Sequence, residues 1–205
     1  MFALDAAINH LAVGAWMKRH NVRPGQTFAS RRLLFEWIAE TIKLSDVLYL
    51  EFGVAEGKSM ELWSKLLVNR NSQLYGFDSF EGLPEAWEQW YQKGRFSTGG
   101  VAPPTNDSRV TYVKGWFDET LPMFIPPRHE VLFINVDADL YSSTRTVLQH
   151  MRPYVEVGTY LYFDEFHHRY DEMKAYDEFV AQTGYKFEML AADKTFNQVL
   201  FRRLG

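Results

Sequence analysis

Short, wholly apolar runs alternate with amphipathic stretches along the middle of this chain, and this alternation constrains the fold more than any other feature. It predicts strands at Val47–Leu50, Leu74–Phe77, Val110–Val113, Val131–Val136 and Thr159–Phe163. Strands without a polar face are buried on both sides, which is typical of a parallel sheet covered by helices on either face. The sequence therefore predicts an α/β fold.

The two ends of the chain depart from this alternation. We expect two helices within residues 1–44, the second covering Phe28–Leu44 after a turn at Asn21–Thr27. Near the other end, the apolar runs Lys186–Leu190 and Gln198–Arg202 follow one another with no helix between them, which predicts an antiparallel hairpin. The predicted sheet is therefore mostly parallel and seven-stranded, with one antiparallel C-terminal strand.

Composition narrows the class of protein. The 205 residues, 46% of them hydrophobic and 23% charged, suit a single globular domain spanning 1–205. The net charge of −4 argues against nucleic-acid binding, and the lack of cysteine excludes thiolate chemistry and disulfides. No apolar run approaches the roughly 20 residues that span a bilayer. We interpret the N-terminal segment as an amphipathic helix rather than a signal peptide, and we expect a cytoplasmic protein without membrane partners.

One long segment, residues 84–108, shows neither a helical nor a strand pattern. It contains the aromatic residues Trp87, Trp90 and Tyr91 together with several glycines and prolines. Loops of this length inside a compact domain are usually functional lids or disordered. Because of its aromatic residues, we predict a lid.

A glycine turn, Glu51–Ser59, follows the first strand of the alternation. Ligands of open α/β sheets bind beyond such strand ends. A dinucleotide site would have a glycine where Ala55 stands, and a phosphate-binding P-loop would have four residues between Gly53 and Gly57 instead of three. In both cases Glu56 would repel a phosphate, so the turn favours a ligand without one.

S-adenosylmethionine is such a ligand, and its positive groups can be attracted by Glu51. The next strand ends at Asp78, whose carboxylate can accept hydrogen bonds from both ribose hydroxyls. Gly115 and Trp116 follow the third strand, where they could bracket an adenine ring. Two alternatives stay open: a nucleotide phosphotransferase that uses Gly53–Ser59, and a nonenzymatic module that binds adenosine compounds.

Four carboxylates, Asp137, Asp139, Asp164 and Glu165, follow the next two strands and are expected to meet at one edge of the sheet. Like charges at close range raise one another's pKa, so such a cluster is costly unless it is compensated. The carboxylates either bind a hard divalent cation through oxygen or include proton acceptors. We interpret the histidine pair 167–168 that follows as a solvated turn.

Five motifs combine these features in order between about Leu48 and Glu178. They are Glu51-Phe-Gly-Val-Ala-Glu-Gly57, Gly76-Phe-Asp-Ser-Phe-Glu-Gly-Leu-Pro84, Gly115-Trp-Phe-Asp-Glu-Thr-Leu-Pro122, Asp137-Ala-Asp-Leu-Tyr-Ser-Ser-Thr144 and Phe163-Asp-Glu-Phe166. Together they resemble the macrocin O-methyltransferase family, also called the TylF family.

The resemblance implies a Rossmann-like class I methyltransferase fold and S-adenosylmethionine-dependent methylation of a small-molecule hydroxyl, in characterised members on a sugar of an antibiotic. It implies Asp139 as the general base and a Mg²⁺ ion held by Asp137, Asp164 and Glu165. The implied cofactor-binding residues follow successive strand ends: Glu51, Gly53, Val54, Gly57, Ser59, Asp78, Ser79, Gly115, Trp116 and Asp137. The oligomeric state stays open, with a homo-oligomer as one option.

Overall fold

The structure is a computed structural model that describes the backbone of residues 2–87 and 91–205 and the side chains of residues 8–87 and 91–205. Trp90, one of the three aromatic residues named for the predicted lid, lies outside the described residues. No helix in the described part of the chain is both long and apolar enough to cross a membrane.

An eight-stranded sheet forms the centre of the fold. Its strands are β1 (Gln26–Phe28), β2 (Val47–Phe52), β3 (Gln73–Asp78), β4 (Val110–Lys114), β5 (Val131–Val136), β6 (Tyr160–Phe163), β7 (Phe187–Asp193) and β8 (Val199–Arg203). Their order across the sheet is β1-β7-β8-β6-β5-β2-β3-β4. Only β8 runs antiparallel to its neighbours, β6 and β7. The predicted mostly parallel sheet with one antiparallel C-terminal strand is confirmed.

All seven predicted strands are present, and β1 adds an eighth where the sequence predicts a turn at Asn21–Thr27. Its three residues pair in parallel with Ala191–Asp193 at the edge of the sheet. Gly25 makes this approach possible, since its N–H donates to the carbonyl of Met189 and a Cβ there would lie 2.9 Å from the Leu190 oxygen. A three-residue strand is too short to show a period of its own, so only its partner reveals it.

Six helices flank the sheet within the described part of the chain. They are α1 (Phe2–His20), α2 (Arg31–Ile42), α3 (Lys58–Leu66), α4 (Phe117–Thr120), α5 (Tyr141–Met151) and α6 (Glu172–Thr183). The second helix begins at Arg31 rather than at the predicted Phe28, because Phe28 belongs to β1 and Ser30 caps the helix by accepting from the Leu33 N–H.

Both faces of the sheet are buried, which explains the wholly apolar strands. In β2, Tyr49 packs on one face against Trp63 of α3, whose ring also contacts Phe35 of α2. Leu50 joins the core formed by α1, α5 and α6 on the other face. Alternate residues of a strand point to opposite faces, so a strand covered on both sides must be apolar at nearly every position. Because helices cover both faces of the sheet, the loops at the carboxyl ends of the parallel strands are the part that can form a site.

Candidate active site

A cavity of about 660 Å³ opens beyond the carboxyl ends of β2 to β6. Seven of the ten predicted cofactor-binding residues line it: Gly53, Val54, Asp78, Ser79, Gly115, Trp116 and Asp137. Asp139 and Glu165 line the same cavity, whereas Glu51, Gly57, Ser59 and Asp164 do not. The structure therefore brings together most residues that the strand ends predict.

The glycine turn after β2 packs against the end of β5. Gly53 has a φ of +97°, and a Cβ at this position would lie 1.8 Å from the carbonyl oxygen of Asp137. Only glycine adopts this backbone conformation at such close range without strain. Gly53 therefore allows the turn after β2 to pack closely against the loop after β5, in addition to leaving room for a ligand.

Asp78 joins the end of β3 to the glycine turn. Its Oδ2 atom accepts hydrogen bonds from the N–H groups of Val54 and Ala55, both at 2.8 Å, and its Oδ1 atom accepts from the Phe80 N–H at 2.7 Å. An ionised carboxylate offers about four lone-pair positions. Asp78, which lines the cavity, thus holds the turn in shape and keeps acceptor capacity for a ligand.

Glu51 lies below the cavity, in the interior of the sheet, and is only 1% exposed. Its Oε2 atom accepts hydrogen bonds from the Tyr49 hydroxyl and from Asn135 Nδ2. Burial raises the pKa of Glu51 to about 7, although these hydrogen bonds and the charge of Arg31 oppose the rise. Any effect of Glu51 on a ligand in the cavity is therefore exerted through its charge and not by lining contact.

Gly57 and Ser59 belong to the start of α3 and face away from the cavity. A Cβ at Gly57 would lie 2.6 Å from the side chain of Pro103, and Ser59 Oγ lies 3.5 Å from the Tyr49 hydroxyl. Both residues therefore contact the structure around the turn. They can therefore affect cofactor binding by stabilising the glycine turn, and not by lining the cavity.

Gly115 and Trp116 close the side of the cavity that follows β4. The Gly115 N–H donates to the Asp78 carbonyl oxygen at 3.0 Å, and a Cβ there would lie 2.7 Å from Thr120 Cγ2. Trp116 directly precedes α4 and is half-buried at the cavity wall. This wall stands next to Asp78, as a ligand with adjoining ribose and adenine groups would require.

Arg31 is the residue at this site that the sequence reasoning missed. From the start of α2, its Nη1 atom lies 3.0 Å from Asp164 Oδ2 and its Nη2 atom 3.2 Å from Asp137 Oδ2. The two carboxylates raise the pKa of the guanidinium against the effect of burial. A basic residue in the first turn of a helix interacts unfavourably with the helix dipole. This unfavourable position was the one feature of the sequence that could have indicated acidic partners for Arg31.

The remaining carboxylates of the cluster have strongly altered acidity. Burial, with a further contribution from Asp164, raises the pKa of Asp139 to about 7 and that of Glu165 to about 8. Burial also raises the pKa of Asp137 well above its usual value. A carboxylate whose pKa lies near neutral pH is suited to accept and release protons, and Asp139 faces the cavity.

The histidine pair 167–168 is not a solvated turn, and that interpretation is wrong. The side chains of His167 and His168 are only 16% and 17% exposed. Both face Glu165, whose Oε2 atom lies 3.6 Å from His167 Nδ1 and 3.4 Å from His168 Nε2. The ring of Trp87, whose centroid is 5.1 Å from that of His168, helps to cover the pair. Burial lowers the pKa of His167 to about 4.

The segment 84–108 folds over the acidic side of the cavity in its described part. Trp87 and Tyr91 exchange backbone hydrogen bonds of 2.8 and 3.2 Å, and Trp87 Nε1 donates to Asp171 at 3.1 Å. Ser142 donates to Glu85 at 2.6 Å, which ties the segment to α5. These contacts agree with a segment that covers the cavity. That the segment moves as a lid stays a prediction.

Comparison with known proteins places the chain in a family. A family model described as a methyltransferase domain matches residues 50–166, more than half of the chain. The chain is 27% identical over 165 residues to demethyldecarbamoylnovobiocin O-methyltransferase from Streptomyces niveus, covering 71% of this chain and 62% of the relative. It is 29% identical over 106 residues to 8-demethyl-8-(2,3-dimethoxy-alpha-L-rhamnosyl)-tetracenomycin-C 4'-O-methyltransferase from Streptomyces olivaceus, covering 43% and 40%. The matches thus span less than two thirds of either relative.

Solved structures share the fold. The O-methyltransferase NovP is similar with a TM-score of 0.69 and 24% identity, over 85% of this chain and 80% of that protein. The calicheamicin methyltransferase CalS11 is similar with a TM-score of 0.66 and 21% identity, over the same shares of the two chains. The predicted Rossmann-like methyltransferase fold is confirmed, and the chain belongs to the family of methyltransferase domains.

Proposed function

We propose that this protein transfers a methyl group from S-adenosylmethionine to a hydroxyl of a small molecule, a sugar or a glycosylated natural product. One observation carries the proposal: a single cavity joins Asp78 and the glycine turn at Gly53 with Asp139 and Glu165. The first pair suits a nucleoside cofactor, and the second pair suits a reacting hydroxyl. The names of both Streptomyces relatives, which are O-methyltransferases, support this acceptor class.

The charge of the cavity supports a cationic cofactor over a polyphosphate. Among its described lining residues are six carboxylates and one lysine: Asp78, Asp118, Glu119, Asp137, Asp139, Glu165 and Lys93. Like charges repel strongly where water is partly excluded, so a triphosphate would be disfavoured here. The sulfonium and ammonium groups of S-adenosylmethionine would be attracted instead. This balance weighs against the phosphotransferase alternative.

In the proposed complex, a ribose hydroxyl donates to the acceptor position that remains on Asp78, and the adenine lies against Trp116. The methionine part lies along the turn at Gly53, which directs the methyl group towards the loop after β5. The contact between Gly53 and Asp137 supports this arrangement, since it holds the cofactor turn beside the acidic loop.

Asp139 is the proposed general base. It removes the proton of the acceptor hydroxyl while that oxygen attacks the methyl carbon, and the carbon–sulfur bond breaks with its electrons on sulfur. The products are the methyl ether and S-adenosylhomocysteine. A pKa of about 7 suits this role, because the base is then partly ionised at neutral pH and still basic enough to take the proton.

The carboxylates Asp137, Asp164 and Glu165 fit a Mg²⁺ ion in donor chemistry and in charge. Their oxygen atoms are the ligands that hard cations prefer, and with Asp139 they set four carboxylates against the single guanidinium of Arg31. Arg31 contacts the Oδ2 atoms of Asp137 and Asp164, which leaves Asp137 Oδ1 for a cation. A bound Mg²⁺ would lower the pKa of the acceptor hydroxyl.

Parallel calorimetric titrations with S-adenosylhomocysteine and ATP test the cofactor. We expect S-adenosylhomocysteine to bind in a 1:1 ratio and ATP not to bind. Tighter binding of ATP would support the phosphotransferase instead. Methyl transfer from labelled S-adenosylmethionine to a panel of sugar nucleotides and glycosylated aglycones then tests the activity. Cofactor binding without transfer to any acceptor would support the nonenzymatic module.

The roles of Asp139 and of the metal are separated by variants. Asp139→Asn is expected to retain S-adenosylhomocysteine binding and to lower turnover by about 10²–10⁴-fold, the usual contribution of a general base. Asp118→Asn, which changes another cavity-lining carboxylate, is the matched control. A chelator is expected to abolish transfer and Mg²⁺ or Mn²⁺ to restore it. Full activity in the chelator would remove the metal from the proposal.

A further inference from the structure

We propose that Glu165, His167 and His168 form a binding site for a first-row transition-metal dication. The three residues lie on the turn between β6 and α6, and only Glu165 is shared with the proposed magnesium ligands. The inference goes beyond the methyl transfer proposed above and does not depend on it.

The spacing of the three side chains matches a coordination sphere. Glu165 Oε2 lies 3.6 Å from His167 Nδ1 and 3.4 Å from His168 Nε2, and one ligand atom from each residue lies within 4.8 Å of the others. Ligand atoms about 2.0–2.2 Å from a tetrahedral ion are about 3.3–3.6 Å apart. An ion therefore fits between these side chains after small rotations. Among the described residues, no other group of three such side chains meets this spacing.

The state of His167 is a second observation that points to a ligand. Its Nδ1 atom is buried and has no hydrogen-bond partner within the described part of the chain. His129 and His150 differ, since their Nδ1 atoms lie 2.6 and 2.9 Å from the carbonyl oxygens of Pro127 and Thr146. A buried nitrogen without a partner is costly, and a coordinated ion would remove that cost.

The donor set determines which ions the site would prefer. Two imidazoles and one carboxylate are the ligands of catalytic zinc sites and of non-haem iron sites. Nitrogen donors favour Zn²⁺, Co²⁺ or Fe²⁺ over Mg²⁺, which prefers oxygen. Arg31 pairs with Asp137 and Asp164, whereas the Oε2 atom of Glu165 faces the two histidines. Because Glu165 lines the cavity, an ion held there would keep one side open to the acceptor end.

Cobalt titration of the chelator-treated protein tests the site without any assay of activity. We expect one Co²⁺ per chain, with intense visible absorption typical of low coordination number, and we expect excess Mg²⁺ not to displace it. His167→Gln and His168→Gln should each lower the Co²⁺ affinity at least about tenfold, since each removes a ligand. His150→Gln, which changes a histidine of α5, is the matched control and should bind Co²⁺ as the unmodified chain does.

Two further measurements make the outcome unambiguous. Asp137→Asn should keep the Co²⁺ absorption. If Asp137→Asn lost this absorption while both histidine variants kept it, the proposal would be overturned. Zn²⁺ should raise the melting temperature of the unmodified chain and of His150→Gln but not that of His167→Gln. Unchanged Co²⁺ affinity in both histidine variants, or no binding by the unmodified chain, would also overturn it. Titration with S-adenosylhomocysteine reports separately on the proposed cofactor site.

Discussion

Replacing Glu51 by glutamine removes a carboxylate that is buried inside the sheet beneath the candidate cofactor turn. Burial raises the pKa of this carboxyl group from 4.5 to about 7, against the opposing hydrogen bond from Tyr49 and the charge of Arg31. The folded chain therefore holds a proton at pH values where the unfolded chain has released it. Stability must then depend on pH in a defined direction.

The direction and the size of this pH dependence of stability follow from proton linkage. The stabilising contribution of the bound proton is complete below about pH 4.5, and it is lost as the pH rises through about 7. At about 1.4 kcal/mol per pKa unit, the rise from 4.5 to about 7 corresponds to about 3 kcal/mol. A glutamine at position 51 cannot ionise. The free energy of unfolding of Glu51→Gln, relative to the unmodified chain, should therefore increase by about 3 kcal/mol between pH 4.5 and 8.

Urea unfolding of both proteins at several pH values between 4.5 and 8 measures this difference. Any cost of the altered hydrogen bonds that is independent of pH cancels, because only the change of the difference with pH is compared. Glu61→Gln is the control, since Lys65 lowers the pKa of exposed Glu61 and the pH trend should be small and opposite in sign. Parallel stability curves for Glu51→Gln and the unmodified chain would refute the reasoning.

Three further variants test the site. Asp78→Ala should weaken S-adenosylhomocysteine binding by roughly 1.5–3 kcal/mol in calorimetry, and unchanged affinity in a folded variant would remove the ribose assignment. Gly53→Ala should lower both the melting temperature and the cofactor affinity, because its Cβ would lie 1.8 Å from the Asp137 oxygen; a normal melting temperature would contradict that contact. Arg31→Gln should cost about 1–3 kcal/mol of stability, discounted for the partial exposure of Arg31, and the cost should fall as the pH is lowered, because the raised pKa of Asp137 favours its neutral form at lower pH. A cost in urea unfolding that does not change with pH would contradict the ion pairs.

The sequence alone was sufficient to predict the central strands and the residues at their carboxyl ends. Each strand is a local apolar run, and a strand buried on both faces needs no knowledge of its partners to be recognised. Once the sheet is predicted to be parallel, Asp78, Asp137 and Glu165 must lie along the same edge, because the carboxyl ends of parallel strands share it. The cavity that these residues line was therefore predictable from the order of the motifs.

Only the tertiary structure determined which groups compensate one another at that edge. Arg31 reaches Asp137 and Asp164 across 106 and 133 residues of chain, and β1 is recognised only by its pairing with Ala191–Asp193. The burial of His167 likewise depends on segments that are distant in sequence. Local patterns report how a stretch of chain buries its own apolar side chains, whereas a contact between one charge and another depends on how the helices and loops pack together. The sequence therefore predicted where the site lies, and the packing of α2 and the loop after β6 decided its charge balance and its candidate metal ligands.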